Sequence, residues 1–390
     1  MRKQKVCIIG GGLTGLITSL VLAKNNLKID LITGNINKRL RSNRTLAISQ
    51  ENFVFLKKFK VFQNTQKELW PCSEIKLYTE TKRKKFNKIF EFKNKKKRIL
   101  YMMRNSNIIR STIRSIKKNK LITIKSNKII SDIISSGLLK AVQFNNKSIS
   151  KYNLIIVCTG SSSGLVQNLF REKVFKRSYE EISATTIVNH KSFKNNIVRQ
   201  IFLDDEILAL LPISNTKTSI VWYVKKKIMS KYRLKNNELF KRKIKLYTKD
   251  YIKKIKFLNH IDYNDINLLI RKKYYKDRVV LFGDAFHTVH PLVGQGFNMT
   301  LRDLKSLEEV LKKKISLGLD VGSHEVLSEF TSKTKPRNFI YSIGIDFIKN
   351  LFSKEKKSIK YLRNKIMVRL NNSNFAKEFF FNIADKGFKF

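Results

Sequence analysis

Two histidines three residues apart, His287 and His290, lie in the segment GDAFHTVHPLVGQGFNMTLRD at residues 283–303, directly after the apolar run DRVVLF. This spacing can place two imidazoles on one helical face for zinc, but a zinc site needs further ligands. The histidines at 190, 260 and 324 show no recognisable ligand spacing, and Pro291 disfavours a regular helix at His290. Glycines and a helical periodicity from 298 to 311 indicate instead a ligand held at a helix start, so no metal is predicted.

A glycine-rich turn near the N-terminus has the spacing of a dinucleotide site. VCIIG at 6–10 has a buried-strand pattern, LITSLVLAKNN has helical periodicity, and LKIDLIT begins a second strand. GxGxxG between a strand and a helix permits a tight turn, close approach of the backbone to a pyrophosphate, and close helix packing. The residues predicted to bind the cofactor here are Gly10, Gly12, Leu13, Thr14 and Gly15.

The second strand lacks the carboxylate that usually binds a ribose. Its last position is Thr33, whereas Asp30 lies three residues earlier and points to the other face by strand alternation. A threonine hydroxyl can still bond one ribose oxygen, so Thr33 is predicted as a cofactor contact.

Composition favours a globular chain of two domains. The 390 residues are 42% apolar, with 27 phenylalanines and only four prolines. The three cysteines form no CxxC pair, which favours a reducing compartment. The N-terminus begins like a signal peptide, but its apolar run stops after four residues at a glycine cluster, and no apolar run reaches the length of a membrane span.

The net charge of +52 comes from 81 basic residues against 29 acidic ones. Nucleic acid and anionic lipid are the obvious partners for such a surface, although a generally basic exterior is an equally simple explanation. The densest basic run, KRKKFNKIFEFKNKKKR at 82–98, alternates with apolar residues and predicts a charged hairpin.

Three separated motifs, GxGxxG at 10–15, RTLAIS at 44–49 and GDAFHTVHPLVGQGFN at 283–298, together resemble the FAD-dependent aromatic hydroxylases of the para-hydroxybenzoate hydroxylase fold. LALLPISNTKTSIVWYV, KPRNFIYSIGIDFIKNLF and YLRNKIMVRL resemble the ubiquinone-biosynthesis branch of that family. The resemblance implies an α/β fold: a Rossmann-like FAD-binding domain with an inserted antiparallel-sheet substrate domain and C-terminal helices. The expected boundaries are 1–75, 100–175 and 272–330 for the FAD-binding domain, 76–99 and 176–271 for the substrate domain, and 331–390 for the helical region.

The resemblance also implies roles for single residues. Asp284, beside Gly283, would accept a hydrogen bond from the ribityl chain, and Arg44 would reach the pyrophosphate. Pro291 would lie against the flavin ring. A helix beginning near Asn298 would direct its positive end to the flavin edge where negative charge accumulates on reduction. The expected catalytic contacts are Pro291, Gly294 and Gln295, and further cofactor contacts are Gly283, Asp284, Gly294, Gln295, Gly296 and Asn298.

Two positions depart from the family pattern. An Asp-Gly pair expected after NLIIVC is Thr159-Gly160 here, which bears on both FAD and the nicotinamide donor. An arginine that the branch often carries before the Leu-Pro strand is replaced by Ile201. The resemblance therefore predicts the fold more firmly than the catalytic competence.

The function implied is an NADPH- or NADH-dependent monooxygenase that uses FAD and O2 to hydroxylate a polyprenylated phenol in ubiquinone biosynthesis. Residues 207–224 are expected to form two antiparallel strands that line the phenol pocket. Because the substrate dissolves in the bilayer, we expect a cytoplasmic protein associated peripherally with the inner surface of the membrane, alone or within a biosynthetic complex.

Three alternatives remain open at this point. A flavin-dependent isoprenoid reductase would share the flavin domain, and a flavin-binding protein without catalysis would explain Thr33 and Thr159. A basic nucleic-acid-binding protein would explain the charge, but it leaves GDAFHTVHPLVGQGFN unexplained, so no nucleic-acid partner is predicted.

Overall fold

The computed structural model describes residues 3–35, 40, 42–63, 65–81, 85–93, 98–161, 163–171, 174–258, 260–353 and 357–387. Helices in these residues are α1 (Leu13–Ala23), α2 (Gln50–Lys58), α3 (Asn105–Lys117), α4 (Gly164–Leu169), α5 (Lys226–Tyr232), α6 (Leu234–Thr248), α7 (Gln295–Ser316), α8 (His324–Phe352), α9 (Lys357–Asn371) and α10 (Asn374–Lys386).

Strands outnumber helices, and several are short. They are β1 (Lys5–Ile9), β2 (Lys28–Thr33), β3 (Thr45–Ser49), β4 (Trp70–Cys72), β5 (Glu74–Glu80), β6 (Phe86–Lys93), β7 (Leu100–Arg104), β8 (Ile122–Ser126), β9 (Ile130–Ser136), β10 (Leu139–Phe144), β11 (Ile149–Tyr152), β12 (Leu154–Val157), β13 (Val174–Asn189), β14 (Ile197–Phe202), β15 (Ile207–Pro212), β16 (Lys217–Lys225), β17 (Lys256–Phe257), β18 (Asp262–Arg271), β19 (Tyr275–Lys276), β20 (Val279–Leu281) and β21 (His287–Thr288).

The first sheet has the order β19-β20-β12-β1-β2-β8 and is parallel except at the β19 edge. Its central strands are buried apolar runs, as expected where helices cover both faces of a parallel sheet. Strands β1, β2 and β12 coincide with the runs predicted from VCIIG, LKIDLIT and YNLIIVCTG. The Rossmann-like prediction is therefore confirmed.

The second large sheet has the order β21-β18-β13-β16-β15-β14-β5-β6, with β17 paired to β13. It is antiparallel apart from the β14–β5 pair. Strands β15 and β16 are the antiparallel pair predicted within 207–224. In the basic run at 82–98, β6 pairs with the preceding β5, while residues 82–84 and 94–97 lie outside the described residues. Two three-stranded sheets, β11-β10-β9 and β3-β7-β4, complete the β structure of the described residues.

The C-terminal part of the chain is helical, and its first long helix, α8, spans the boundary expected at residue 331. Buried side chains of α8, including Tyr341, Ile345 and Phe352, share a core with the large antiparallel sheet and with Leu292 and Met299 of the 283–303 segment. Among the described residues, no helix combines the length and apolar character required to cross a bilayer.

Candidate functional site

Close contacts at glycines bring the three sequence motifs together. A Cβ on Gly10 would lie 2.7 Å from the Cys158 carbonyl oxygen, and a Cβ on Gly15 would lie only 2.0 Å from the Gly10 carbonyl oxygen. The first turn therefore accepts a side chain at neither position. A Cβ on Gly283 would lie 2.9 Å from the Thr14 side chain. The first and third motifs therefore meet where the strands of the parallel sheet end.

The second motif joins the third through Gly294. This residue has φ +67°, and a Cβ built there would lie 3.0 Å from the Ala47 methyl group of β3. The left-handed conformation favours glycine, and it turns the chain into α7 at Gln295. The helix thus begins three residues before the start predicted near Asn298, because the Gly294 turn, and not the first apolar repeat, sets its N-terminus.

Asn298 is fully buried, and its side chain is bonded within the protein. Its amide nitrogen donates to the Ala47 carbonyl at 2.8 Å, and its oxygen accepts from the Ser49 amide at 3.0 Å and from Asn52 Nδ2 at 2.9 Å. The side chain therefore attaches α7 to β3 and α2. A contact between Asn298 and the cofactor remains a prediction. It would have to come from the Asn298 backbone, or from a side-chain hydrogen bond that is shared with one of these protein partners.

Asp284 and Arg44 are exposed, unlike most of their neighbours. Asp284 follows β20 and is the one exposed residue between 279 and 287, so its carboxylate is open to a ligand. Arg44 precedes β3, and its positive charge counteracts a pKa rise that burial imposes on the Tyr223 hydroxyl. The guanidinium therefore lies close enough to Tyr223 of β16 to act on its hydroxyl.

Thr33 and Asp30 take the different orientations that strand alternation predicts. The Thr33 hydroxyl donates to the Gly34 carbonyl at 3.0 Å at the carboxyl end of β2. Asp30 instead accepts from Tyr152 at 2.8 Å and pairs with Lys5 and Lys125 at 3.0 and 2.9 Å. Burial would raise the Asp30 pKa, but these partners together lower it below its usual value. Asp30 thus ties strands together and is not directed to a ribose.

The two histidines of the opening segment bond different carboxylates. His287 Nε2 donates to Asp303 Oδ2 at 2.8 Å, and Asn338 of α8 donates to the other oxygen of Asp303 at 3.0 Å. His290 Nε2 lies 3.1 Å from Glu181 Oε2 in β13. In the described part of the chain, no three His, Cys, Asp or Glu side chains are grouped to hold a metal ion.

His290, Glu181 and Lys349 form a buried charged triad. Lys349 Nζ of α8 lies 2.7 Å from Glu181 Oε1, and all three side chains are at least nine-tenths buried. Burial lowers the His290 pKa, which favours a neutral ring, and hydrogen bonds from His290 and Lys349 lower the Glu181 pKa although burial opposes them. A neutral imidazole facing an ionised carboxylate carries its proton on Nε2, so Nδ1 keeps a lone pair that has no partner among the described residues.

Other side chains at the site could not be found from sequence spacing. Tyr341 of α8 donates to Gln295 Oε1 at 2.7 Å, and Tyr223 of β16 donates to the Pro291 carbonyl at 3.1 Å. Buried Arg271 donates through Nε to the Ala285 carbonyl at 2.7 Å. These contacts join residues 46, 68 and 14 positions apart, so no local pattern signals them. They hold the backbone of the segment from several sides.

Strands β15 and β16 present two apolar faces to different surroundings. Ile207 and Tyr223 pack with Val289, Leu292 and Met299, which belong to the segment around Pro291. The opposite face, with Leu208, Leu210 and Trp222, packs against α5 and α6. Ile201, which replaces the expected arginine, is buried on this second face.

The residues present fit a bound dinucleotide. Glycines line the turn where a Cβ would be excluded, α1 begins at Leu13 without a side-chain cap, and its first amides are therefore free for an anion. Thr159 Oγ1, after β12 and beside Gly10, is buried without a hydrogen-bond partner in the described residues. Thr45 Oγ1 and Arg104 Nε, on paired positions of β3 and β7, are also buried without a hydrogen-bond partner in the described residues. Polar atoms of this kind are satisfied when a polar ligand binds.

Known proteins agree with this geometry. Residues 149–337 match the family described as "FAD binding domain". The chain is 23% identical to ubiquinone biosynthesis monooxygenase COQ6 of Dictyostelium discoideum, with 97% of this chain and 90% of the relative covered. It is 22% identical to 3-demethoxyubiquinol 3-hydroxylase of Escherichia coli, with 92% and 93% covered.

Solved structures give the same answer for the fold. The p-nitrophenol 4-monooxygenase PnpA of Pseudomonas putida superposes with a TM-score of 0.77 at 13% identity, with 98% of both chains covered. PqsL of Pseudomonas aeruginosa, described as a probable FAD-dependent monooxygenase, gives 0.75 at 14% identity, with 90% and 97% covered.

The chain has the FAD-dependent monooxygenase fold. The resemblance inferred from three short motifs is therefore confirmed over nearly the whole chain, including the antiparallel sheet and the C-terminal helices. FAD is the cofactor that the matched domain supports.

Proposed function

We propose that this protein is an FAD-dependent monooxygenase that hydroxylates a polyprenylated phenol in ubiquinone biosynthesis, with NADPH or NADH as electron donor and O2 as oxidant. The observation that carries the proposal is that the three motifs contact one another, with Gly283 against Thr14 and Gly294 against Ala47. Relatives that cover most of the chain are named as ubiquinone-biosynthesis enzymes, which supports this substrate class.

Bound FAD would supply the redox chemistry, and the chain would bind and orient it. The first amides of α1 would hold the pyrophosphate, while Thr33 and Asp284 would bond the sugar and ribityl hydroxyls. The N-terminus of α7 would place a positive dipole end beside the flavin edge that gains negative charge on reduction. Gln295 is already held by Tyr341, so this donor set needs little rearrangement when the charge arrives.

We place the phenol beside Pro291, along the face of the sheet that carries Ile207 and Tyr223. That face packs against the segment around Pro291, whereas the opposite face is covered by α5 and α6. Apolar residues on the inner face suit an aromatic ring with an isoprenoid tail, and they exclude water from the reacting carbon. No side-chain acid or base is assigned to the hydroxylation.

Access to such a substrate requires contact with a membrane. The chain carries +52 at neutral pH, and each Lys or Arg near an anionic leaflet contributes about 1 kcal/mol of attraction. We therefore place the protein on the inner face of the membrane as a peripheral enzyme, either alone or in a complex with other enzymes of the same biosynthesis.

Purification followed by visible spectroscopy and chromatography of the released chromophore tests the cofactor. We expect a yellow protein that releases FAD and that oxidises NADPH or NADH faster when a prenylated phenol is present. Deletion of the gene should then cause a quinone precursor that lacks one hydroxyl to accumulate, and its mass identifies the ring position. A colourless protein that does not take up added FAD would contradict the proposal.

A second candidate is a flavin-binding protein without hydroxylase activity. Thr159 favours it, because the family carries an acidic residue there, and its hydroxyl has no partner in the described part of this chain. A yellow protein that consumes neither nicotinamide donor with any phenol tested would support this candidate over the first.

A further inference from the structure

Helix α8 has two apolar faces on opposite sides. Tyr341, Ile345 and Phe352 are buried against the antiparallel sheet. The other side carries an outer stripe of exposed apolar residues. The members of this outer stripe are Phe339, Ile340, Ile343 and Phe347. At about 100° per residue, Phe339 to Phe347 cluster on the side of the helix directly opposite the buried set.

The outer stripe is unusually apolar for a solvated helix. Phe339 is 53% exposed and Phe347 is 65% exposed. Of the 21 large apolar side chains that are exposed in the described residues, 11 lie between 339 and 379, on α8, α9 and α10. A concentration of this kind marks an interaction surface, whereas single exposed apolar residues carry no such meaning.

Charge indicates which partner covers the stripe. Residues 331–390 contain 14 Lys and Arg against four Asp and Glu, and the whole chain carries +52. A second copy of the chain would bring like charges together, which disfavours self-association. An anionic lipid leaflet instead accepts both the phenylalanines and the surrounding cations. We infer that the outer stripe of α8 is the surface by which the protein binds an anionic bilayer, an inference that rests on the proposed function for its bilayer substrate.

The buried side of the same helix holds the segment that is predicted to contact the flavin. Tyr341 donates to Gln295, and Lys349 pairs with Glu181, which bonds His290. Tyr341 and Lys349 lie about two turns apart on one continuous helix. The bilayer surface and residues 287–296 are therefore two sides of a single element.

Bilayer binding by α8 and local unfolding of α8 are thermodynamically linked. A bilayer that binds folded α8 makes every opening that detaches α8 rarer, because binding stabilises only the docked form. Gln295 is bonded directly to Tyr341 of α8, and His290 is linked to α8 through Glu181 and Lys349, so openings of residues 287–296 that break these bonds become rarer as well. Docking therefore stabilises the flavin-contacting segment without any lipid touching it.

Vesicle flotation tests the surface without requiring FAD or activity. Phe339→Ser combined with Phe347→Ser should reduce binding to phosphatidylcholine vesicles that contain phosphatidylglycerol by about tenfold or more, because two phenylalanines leave the interface. Ile129→Ser combined with Leu138→Ser is the matched control, since Ile129 is 66% and Leu138 85% exposed beside the small sheet β11-β10-β9. This control should bind as the unchanged protein does, and pure phosphatidylcholine or high salt should weaken binding throughout.

Equal binding of the stripe variant and the control, equal binding to both vesicle types, or no binding at all would overturn the inference. Loss of a dimer in the stripe variant, seen by sedimentation, would overturn it in favour of a second copy. A yellow, active protein that fails to float contradicts the docking surface alone, whereas a colourless protein that floats contradicts only the proposed function.

Hydrogen exchange tests the connection through α8. Vesicles should slow amide exchange of residues 287–296 by about tenfold in the unchanged protein, and Tyr341→Phe should reduce this effect while still floating. If vesicles slow exchange equally in Tyr341→Phe and in the unchanged protein, the connection is contradicted. It is also contradicted if vesicle binding leaves the exchange of residues 287–296 unchanged.

Discussion

His290 Nε2 lies 3.1 Å from Glu181 Oε2, and the two residues are 109 positions apart. The contact joins the segment that contains Pro291 to the longest strand of the antiparallel sheet, β13. Lys349 of α8 completes the triad at 2.7 Å from the same carboxylate. Three separate parts of the chain therefore meet in one buried electrostatic cluster beside the candidate flavin site.

Glu181→Gln should lower the free energy of unfolding by about 3 kcal/mol, because it leaves the Lys349 ammonium buried without a countercharge. Glu181→Gln combined with Lys349→Met should cost less than the sum of the two single changes, since the double variant buries no unpaired charge. Urea denaturation of the four proteins measures the coupling. Additive costs would show that the triad is not a coupled unit.

Stability should fall as the pH drops below about 6.5, and the triad supplies the reason. The folded-state pKa of His290 is lowered by burial from 6.5, so the unfolded chain takes up a proton that the folded chain refuses. The folded pKa of Glu181 is also lowered from 4.5, so its contribution persists above that pH and is lost as the pH falls through the lowered value. Each of these pKa shifts makes the folded state less stable in acid.

His290→Gln is the matching variant for this pH dependence. Its amide does not titrate, so the loss of stability between pH 6.5 and pH 5 should be smaller than in the unchanged protein, by up to about 1.4 kcal/mol per pH unit. Urea denaturation at several pH values measures both slopes. Parallel curves for the two proteins would assign the acid sensitivity to other groups.

Gly15→Ala should abolish retention of FAD and cost about 3 kcal/mol or more of stability, because the added Cβ would lie 2.0 Å from the Gly10 oxygen. Gly34→Ala is the control, since no atom lies within 4 Å of a Cβ there and its φ is not positive. The control should stay within about 0.5 kcal/mol of the unchanged protein. Absorbance of bound flavin and thermal unfolding provide the two measurements.

Thr33→Val and Asp30→Asn should separate cofactor binding from stability. Thr33→Val removes a hydroxyl at the end of β2 and should weaken FAD binding up to about tenfold, with little loss of stability. Asp30→Asn removes the charge that pairs with Lys5 and Lys125 and should cost about 2 kcal/mol with little change in FAD affinity. Flavin titration measures the FAD affinity, and urea denaturation measures the stability. A loss of stability in Thr33→Val together with a loss of FAD affinity in Asp30→Asn would contradict both assignments.

Local patterns in the sequence determined the elements whose causes are short-range. Apolar runs such as VCIIG and NLIIV form buried parallel strands, and the glycines at 10 and 15 tolerate no side chain, so their spacing already indicated the turn. Strand alternation correctly separated Asp30 from Thr33. Helix α7 begins three residues before the start that periodicity predicts, because periodicity marks the apolar face of a helix and not the backbone turn that begins it.

Only the tertiary structure decided which residues surround the site. Glu181, Tyr223 and Tyr341 bond the 283–303 segment from two strands and a helix that are distant in sequence, and Lys349 pairs with Glu181. A buried charge is tolerated only with a partner, and that partner can come from any part of the chain, so no spacing rule identifies it. The sequence therefore determined the turns that are predicted to bind a ligand, while packing of the sheet and of α8 determined how those turns are held.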